Sequence, residues 1–96
     1  MPKTAIPYNS WLAGELTDPK NAERYLNACL EEGPDVFLKA LKKVAQARQM
    51  TKVAQEAGVQ RETLYRSLSE NGNPTLETLS SVLHALRMEL RVAARQ

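Results

Sequence analysis

The chain has one cysteine, one histidine, one tryptophan and one phenylalanine among its 96 residues. A single cysteine excludes an internal disulfide, and Cys29 with His84 falls short of any zinc-ligand pattern, so no metal or other cofactor is expected. An excess of one charge sign is missing too. The 13 basic residues face 11 acidic ones for a net charge of +2, too little to coat nucleic acid by charge alone, so any DNA binding depends on where the charge is placed. No stretch approaches the roughly 18 apolar residues of a membrane span, and the N-terminal "MPKTAIPYNSW" has no apolar signal core. Both absences predict a cytoplasmic protein without membrane contact. Paired carboxylates at useful spacing, a nucleophile beside a base and a glycine-rich phosphate loop are also lacking, so the chain reads as no enzyme.

What is present is an ordinary globular composition, 43% hydrophobic and 25% charged, which suits one domain with one modest core. Residues 1–17 carry two prolines and no clear period and read as an irregular N-terminal arm; residues 18–96 read as the domain. In "DPKNAERYLNACLEEG", Asp18 is placed as an N-cap with Pro19 in the first helical position. Ala22, Tyr25, Leu26, Cys29 and Leu30 then recur at helical spacing until Gly33 stops the run. Pro34 opens a second helix with Phe37, Ala40, Leu41, Val44 and Ala45 on its apolar side, while Lys39, Lys42, Lys43 and Gln46 face outward. Thr51 is placed to cap a short third helix with Val53, Ala54 and Ala57, and a fourth carries Leu64 and Leu68. "SENGNP" is the clearest loop. After it Thr75 caps a fifth helix with Leu76, Leu79, Val82, Leu83 and Leu86 along its buried side. In the tail Met88, Leu90 and Val92 alternate with Glu89, Arg91 and Ala93, a two-residue repeat that predicts a half-buried strand. A lone strand needs a partner, which the same strand in a second copy would supply.

The expected fold is therefore all-α, a five-helix repressor-like helix-turn-helix domain with a short C-terminal β-strand. The helix-turn-helix reading rests on "TKVAQEAGVQRETLYRSL", residues 51–68. Ala54 is small where two helices cross, Gly58 four residues on supplies a positive φ, and Val59 fills the junction. Leu64 and Leu68 face the body, which leaves Gln60, Arg61, Glu62, Tyr65 and Arg66 on the opposite side as candidates for base contact. Arginine can pair bidentately with guanine and glutamine with adenine, and Arg61 lies at the helix end that points into a major groove. Glu62 repels phosphate unless it accepts from cytosine or pairs with Arg66 one turn on, and the pairing is the role expected. Thr51 and Lys52 are placed to hold a phosphate at the start of the preceding helix, and Asn71 and Asn73 add backbone contacts from the loop. A short amphipathic hairpin with glycine at its turn also occurs in domains that bind no DNA. The helices on either side favour the DNA-reading alternative.

Several stretches, "YLNACLEEG", "FLKALKKVAQARQMT", "AGVQRETLYRSLSENGNPTLETL" and "ALRMEL", together resemble the addiction-module antidote family, helix-turn-helix antitoxins of bacterial toxin–antitoxin pairs. The likeness spans about residues 18–93, with "LYRSL" followed by "GNPTLETL" as its most specific part. It implies an antitoxin that binds a small toxin of the RelE/ParE-like superfamily and represses the operon encoding both. Two subunits with reading helices in successive major grooves would make it a homodimer on a near-palindromic double-stranded operator. Aromatic residues anchor interfaces, so Tyr8, Trp11 and Leu12 of the arm become candidates for toxin binding. Two positions depart from the family's pattern: Gln60 stands where a serine N-cap is usual, and Arg87 where a glycine commonly ends the last helix. The competing readings are a phage-repressor-like regulator with no toxin partner and a protein-only interaction module.

Overall fold

The computed structural model describes residues 8–69 and 71–95, with side chains from residue 11 onward. Six α-helices lie among them: α1 Tyr8–Glu15, α2 Pro19–Glu32, α3 Pro34–Ala47, α4 Met50–Ala57, α5 Arg61–Ser67 and α6 Leu76–Ala85. None of these helices is long and apolar enough to cross a membrane.

Local chemistry sets most of the boundaries. The Asp18 carboxylate accepts from the Lys20 backbone N–H at 2.9 Å, and Pro19 follows in the first turn. Gly33, at φ +133, ends α2 and is followed by Pro34 at the head of α3. Thr75 Oγ1 accepts from the Thr78 N–H at 3.0 Å and starts α6. Each cap satisfies an N–H that the first helical turn leaves without a partner.

Four expectations are corrected. The stretch read as irregular, residues 1–17, contains α1, because Leu12 and Leu16, four residues apart, are both buried and fix α1 on α3. Packing of this kind stabilises a helix too short to stand alone. The third expected helix begins at Met50 rather than after a Thr51 cap: Gln49 takes the capping position at φ +70 without a side-chain bond, and Met50 turns into the core. Leu76, placed on the buried side of its helix, is 71% exposed. The C-terminal strand is absent from the single chain, since residues 88–95 form neither helix nor ladder. A strand exists only by pairing, and no ladder forms between this segment and any other described residues. Six helices without a strand replace five with one.

The core joins Leu12 and Leu16 of the N-terminal region to Leu26, Leu38, Leu41, Val44, Val53, Leu64, Leu68, Val82 and Leu86. Within it α2 packs mainly on α3, α4 on α6, and α5 on α4. Cys29 is half-buried at its margin; burial, and then the Glu32 carboxylate, push its thiol up, so it stays protonated at neutral pH. The exit from α6 is a six-residue closure: Arg87 N–H donates to the His84 carbonyl at 2.9 Å and Met88 N–H to the Leu83 carbonyl at 2.8 Å, with Arg87 at φ +66. Glycine is the usual occupant of that left-handed position. Holding an arginine there costs about 1–2 kcal/mol, which the two hydrogen bonds and the burial of Leu86 offset.

Candidate nucleic-acid interface

The turn between α4 and α5 is built from Gly58, Val59 and Gln60. Gly58 sits at φ +74 and ψ +29, the left-handed conformation, with its N–H directed to the Gln55 carbonyl, while Val59 N–H returns to the Ala54 carbonyl at 3.0 Å. Ala54 is buried and Val59 half-buried against the core. The bend and its plug are thus where the sequence placed them. Leu64 and Leu68 are wholly buried, and with two points one turn apart held inside, the rotation of α5 about its axis is set.

That rotation leaves Gln60, Arg61, Glu62 and Arg66 exposed, with Tyr65 half-buried at the edge of the row. Gln60 precedes α5 at φ −73 and ψ 145, and its side chain makes no capping bond. Glu62 and Arg66 are not joined by an ion pair; the ion pairs among the described residues are Lys20 with Glu23 and Arg91 with Glu89. The pairing expected to neutralise Glu62 is therefore not formed, and its carboxylate remains on the outer row.

Tyr65 is the hub of the face. The Arg61 guanidinium lies 5.0 Å from its ring centroid and the Lys42 ammonium 5.3 Å. Gln46 Nε2 donates to Tyr65 Oη at 3.4 Å. Lys42 also reaches Ser69 Oγ at 3.5 Å, and Ser69 Oγ donates to the Tyr65 carbonyl at 2.6 Å. Cation–π contacts at exposed sites contribute about 0.5–1 kcal/mol each, enough to bias the Arg61 side chain toward one orientation without withdrawing it from solvent. Lys42, Gln46 and Ser69 were missed as site residues. Lys42 and Gln46 share one face of α3 by their i,i+4 spacing, but only the docking of α5 shows that this face borders Tyr65.

Thr51 and Lys52 are exposed in the first turn of α4, where the leading N–H groups of a helix have no internal acceptor. Asn71 and Asn73 are exposed in the loop after α5. The loop turns back onto the end of that helix at Gly72, whose N–H closes a turn within the loop by donating to the Ser69 carbonyl at 2.7 Å and whose missing side chain lets it sit against the Ser67 carbonyl. On α1, Trp11 is 53% exposed whereas Leu12 is 8% exposed and belongs to the core. Leu12 is thus a packing residue and not a surface anchor. The Tyr8 side chain lies outside the described residues.

Small all-helical proteins with a short, polar-faced helix riding on a buried leucine pair form the class to which this architecture assigns the chain. More narrowly, the chain belongs to the family described as "probable addiction module antidote protein", which matches residues 10–94. It is similar, at 40% identity over 82 residues and 84% of each chain, to a protein of Haemophilus influenzae (strain ATCC 51907 / DSM 11121 / KW20 / Rd) described as uncharacterized. No solved structure matches the chain. An addiction-module antidote is by definition the counterpart of a toxin, so the antitoxin part of the likeness read from the sequence holds at this coarse level.

Proposed function

We propose that the chain is the antitoxin of a bacterial type II toxin–antitoxin module, acting in the cytoplasm by binding and not by catalysis. It neutralises a small RelE/ParE-like toxin and, as a homodimer, represses its own operon through α4 and α5 used as a helix-turn-helix. The observation that carries the DNA-binding half is the exposed row Gln60, Arg61, Glu62 and Arg66 on a helix whose other side is wholly buried through Leu64 and Leu68. In this reading α5 enters a major groove with Arg61 and Gln60 leading, Tyr65 and Arg66 following, and Glu62 accepting from cytosine N4, the role left to it without an arginine partner. Thr51, Lys52, Asn71 and Asn73 hold the flanking phosphates, which sets register but reads no sequence.

Competition gel shifts on the chain's own promoter fragment separate these roles. Arg61→Ala should lose about 1–3 kcal/mol of discrimination between the operator and a scrambled duplex. Lys52→Ala should weaken both duplexes alike and reduce the slope of log affinity against log salt by about 0.9. Wild-type discrimination in both variants would place the reading face elsewhere.

For the toxin, Trp11 is the leading anchor on α1, with Tyr8 beside it in the sequence. Copurification with the product of the adjacent reading frame tests both parts of the reading. Trp11→Ala should reduce the recovered partner at least tenfold, given the cost of about 2 kcal/mol for truncating an interface hot spot. Full recovery with Trp11→Ala would remove α1 from the toxin interface, and no partner at all would favour a phage-repressor-like regulator. A truncation of residues 1–16 is a poorer test, because it also removes Leu12 and Leu16 from the core.

A further inference from the structure

We infer that the segment after α6 pairs antiparallel with the same segment of a second copy, about a twofold axis through Leu90. This deepens the homodimer part of the reading above, on which it rests, and does not depend on DNA binding. Beyond the closure at Arg87 and Met88, residues 88–95 have no helix, no ladder and no left-handed φ. The side chains of Glu89 and Arg91 meet, Arg91 Nε lying 2.7 Å and Nη2 2.6 Å from Glu89 Oε2. Residues two apart share a face on an extended backbone and point apart on a helix. The arm therefore carries Glu89 and Arg91 on one face and Met88, Leu90 and Val92 on the other.

The apolar face is only partly covered. Met88 is half-buried against the core, Leu90 is 44% exposed and Val92 fully exposed. Met88 and Leu90, together with Glu89 and Arg91, border an open groove of about 1140 Å³ that is also lined by Leu30 of α2, itself 50% exposed. An extended arm with an unpaired backbone edge and an uncovered apolar side is a template for strand addition.

Charge selects both the occupant and the register. With the axis at Leu90, Glu89 lies opposite Arg91 of the second copy and Arg91 opposite its Glu89. On the other face Leu90 meets Leu90, and Met88 meets Val92. Opposite charges directly across an antiparallel pair stabilise it and like charges destabilise it. Moving the axis to Glu89 sets glutamate against glutamate and Arg91 against Arg87, and moving it to Arg91 sets arginine against arginine. Intermediate registers put charged side chains on the apolar face. Parallel pairing in register aligns like with like. An axis at Val92 sets Glu89 against Arg95 but leaves Arg91 opposite Ala93 and Leu90 opposite Ala94, so the Leu90 axis is the register that pairs both Glu89 and Arg91 with opposite charges while setting the larger apolar side chains against each other.

Disulfide trapping in the full chain, with Cys29→Ala as background, reads the register directly. Leu90→Cys should form a covalent dimer on mild oxidation, because directly opposed residues in an antiparallel pair have Cα atoms about 4.5–5.5 Å apart. Met88→Cys alone and Val92→Cys alone should not, since each lies about 14 Å from its own counterpart in this register. An equimolar mixture of Met88→Cys and Val92→Cys chains should crosslink. In sedimentation, Glu89→Arg and Arg91→Glu should each weaken the dimer roughly 10- to 50-fold, and the double exchange E89R/R91E should restore it. A stable dimer that ignores these substitutions, or that traps through a different position, overturns the arm pairing and leaves the homodimer reading intact. A chain that stays monomeric at micromolar concentration and does not trap overturns both.

Discussion

Leu64→Ala should lower the unfolding free energy by about 2–5 kcal/mol, while Leu76→Ala should change it by less than about 0.5 kcal/mol. Both leucines belong to short helices. Leu64 is wholly buried in the core, whereas Leu76 is 71% exposed at the head of α6. Truncating Leu64 removes apolar atoms from the interior and leaves a cavity that the surrounding core side chains close only in part. For a domain of this length the whole stability is on the order of 5–14 kcal/mol, so the loss is a sizeable fraction of it. Helix α5 has only seven residues and cannot persist without its anchors. Operator affinity should therefore fall for the folded fraction too, because the orientation of Arg61 depends on α5 staying seated. Urea denaturation followed by circular dichroism gives the stability difference, and gel shifts well below the midpoint give the second effect. A Leu64→Ala protein within about 1 kcal/mol of wild type would mean that α5 is not held by this side chain.

The contrast between the two leucines shows what sequence periodicity can and cannot decide. Asp18, Pro19, Gly33, Pro34, Gly58 and Thr75 were readable because each acts on its immediate neighbours through a cap, a fixed φ or a left-handed turn. The buried face of α5 was readable because Leu64 and Leu68 are its two large aliphatic residues. Helix α1 was not, since its anchors Leu12 and Leu16 make too short a pattern, and the prolines that argued against a helix, Pro2 and Pro7, both precede it. Leu76 was misplaced because its spacing fits the apolar stripe, yet it opens α6 on an exposed corner beside Thr75 and Glu77 while Leu79 of the same turn packs on the core. The start of α4 was hidden by Gln49, which adopts a positive φ that a β-carbon disfavours and is held there by its N–H to the Gln46 carbonyl and by the burial of Met50 next to it. In the interface, the row on α5 was legible from its helical face. The link from Tyr65 to Lys42 and Gln46 was not, because it joins residues 19 and more positions apart on different helices.

Gly72→Ala should destabilise the protein by about 1–3 kcal/mol and, on the DNA-binding reading proposed above, weaken binding to all DNA sequences alike. The cause is space and not backbone angle, for Gly72 does not occupy the left-handed region. A β-carbon built on it would fall onto the Ser67 carbonyl group and within 2.7 Å of the Arg66 carbonyl oxygen. These are backbone atoms at the end of α5, so no change of rotamer relieves the overlap. Either the last turn of α5 or the loop must move, and the hydrogen bond from Gly72 N–H to the Ser69 carbonyl is the first to break. That bond shapes the turn, and the close approach of Gly72 to the Ser67 carbonyl places the loop bearing Asn71 and Asn73 at the end of α5. Displacing it should cost phosphate contacts while Arg61 keeps its choice of base, so affinity falls and discrimination is retained. Gly14→Ala is the matching control: no atom lies within 4 Å of its added β-carbon, and inside α1 alanine should gain about 0.5–1 kcal/mol over glycine. Opposite signs for the two glycine-to-alanine changes in thermal unfolding are the expected result. A Gly72→Ala protein as stable as wild type would show that the loop is not pressed against the carbonyl end of α5, and the asparagines would then lose their place at the interface.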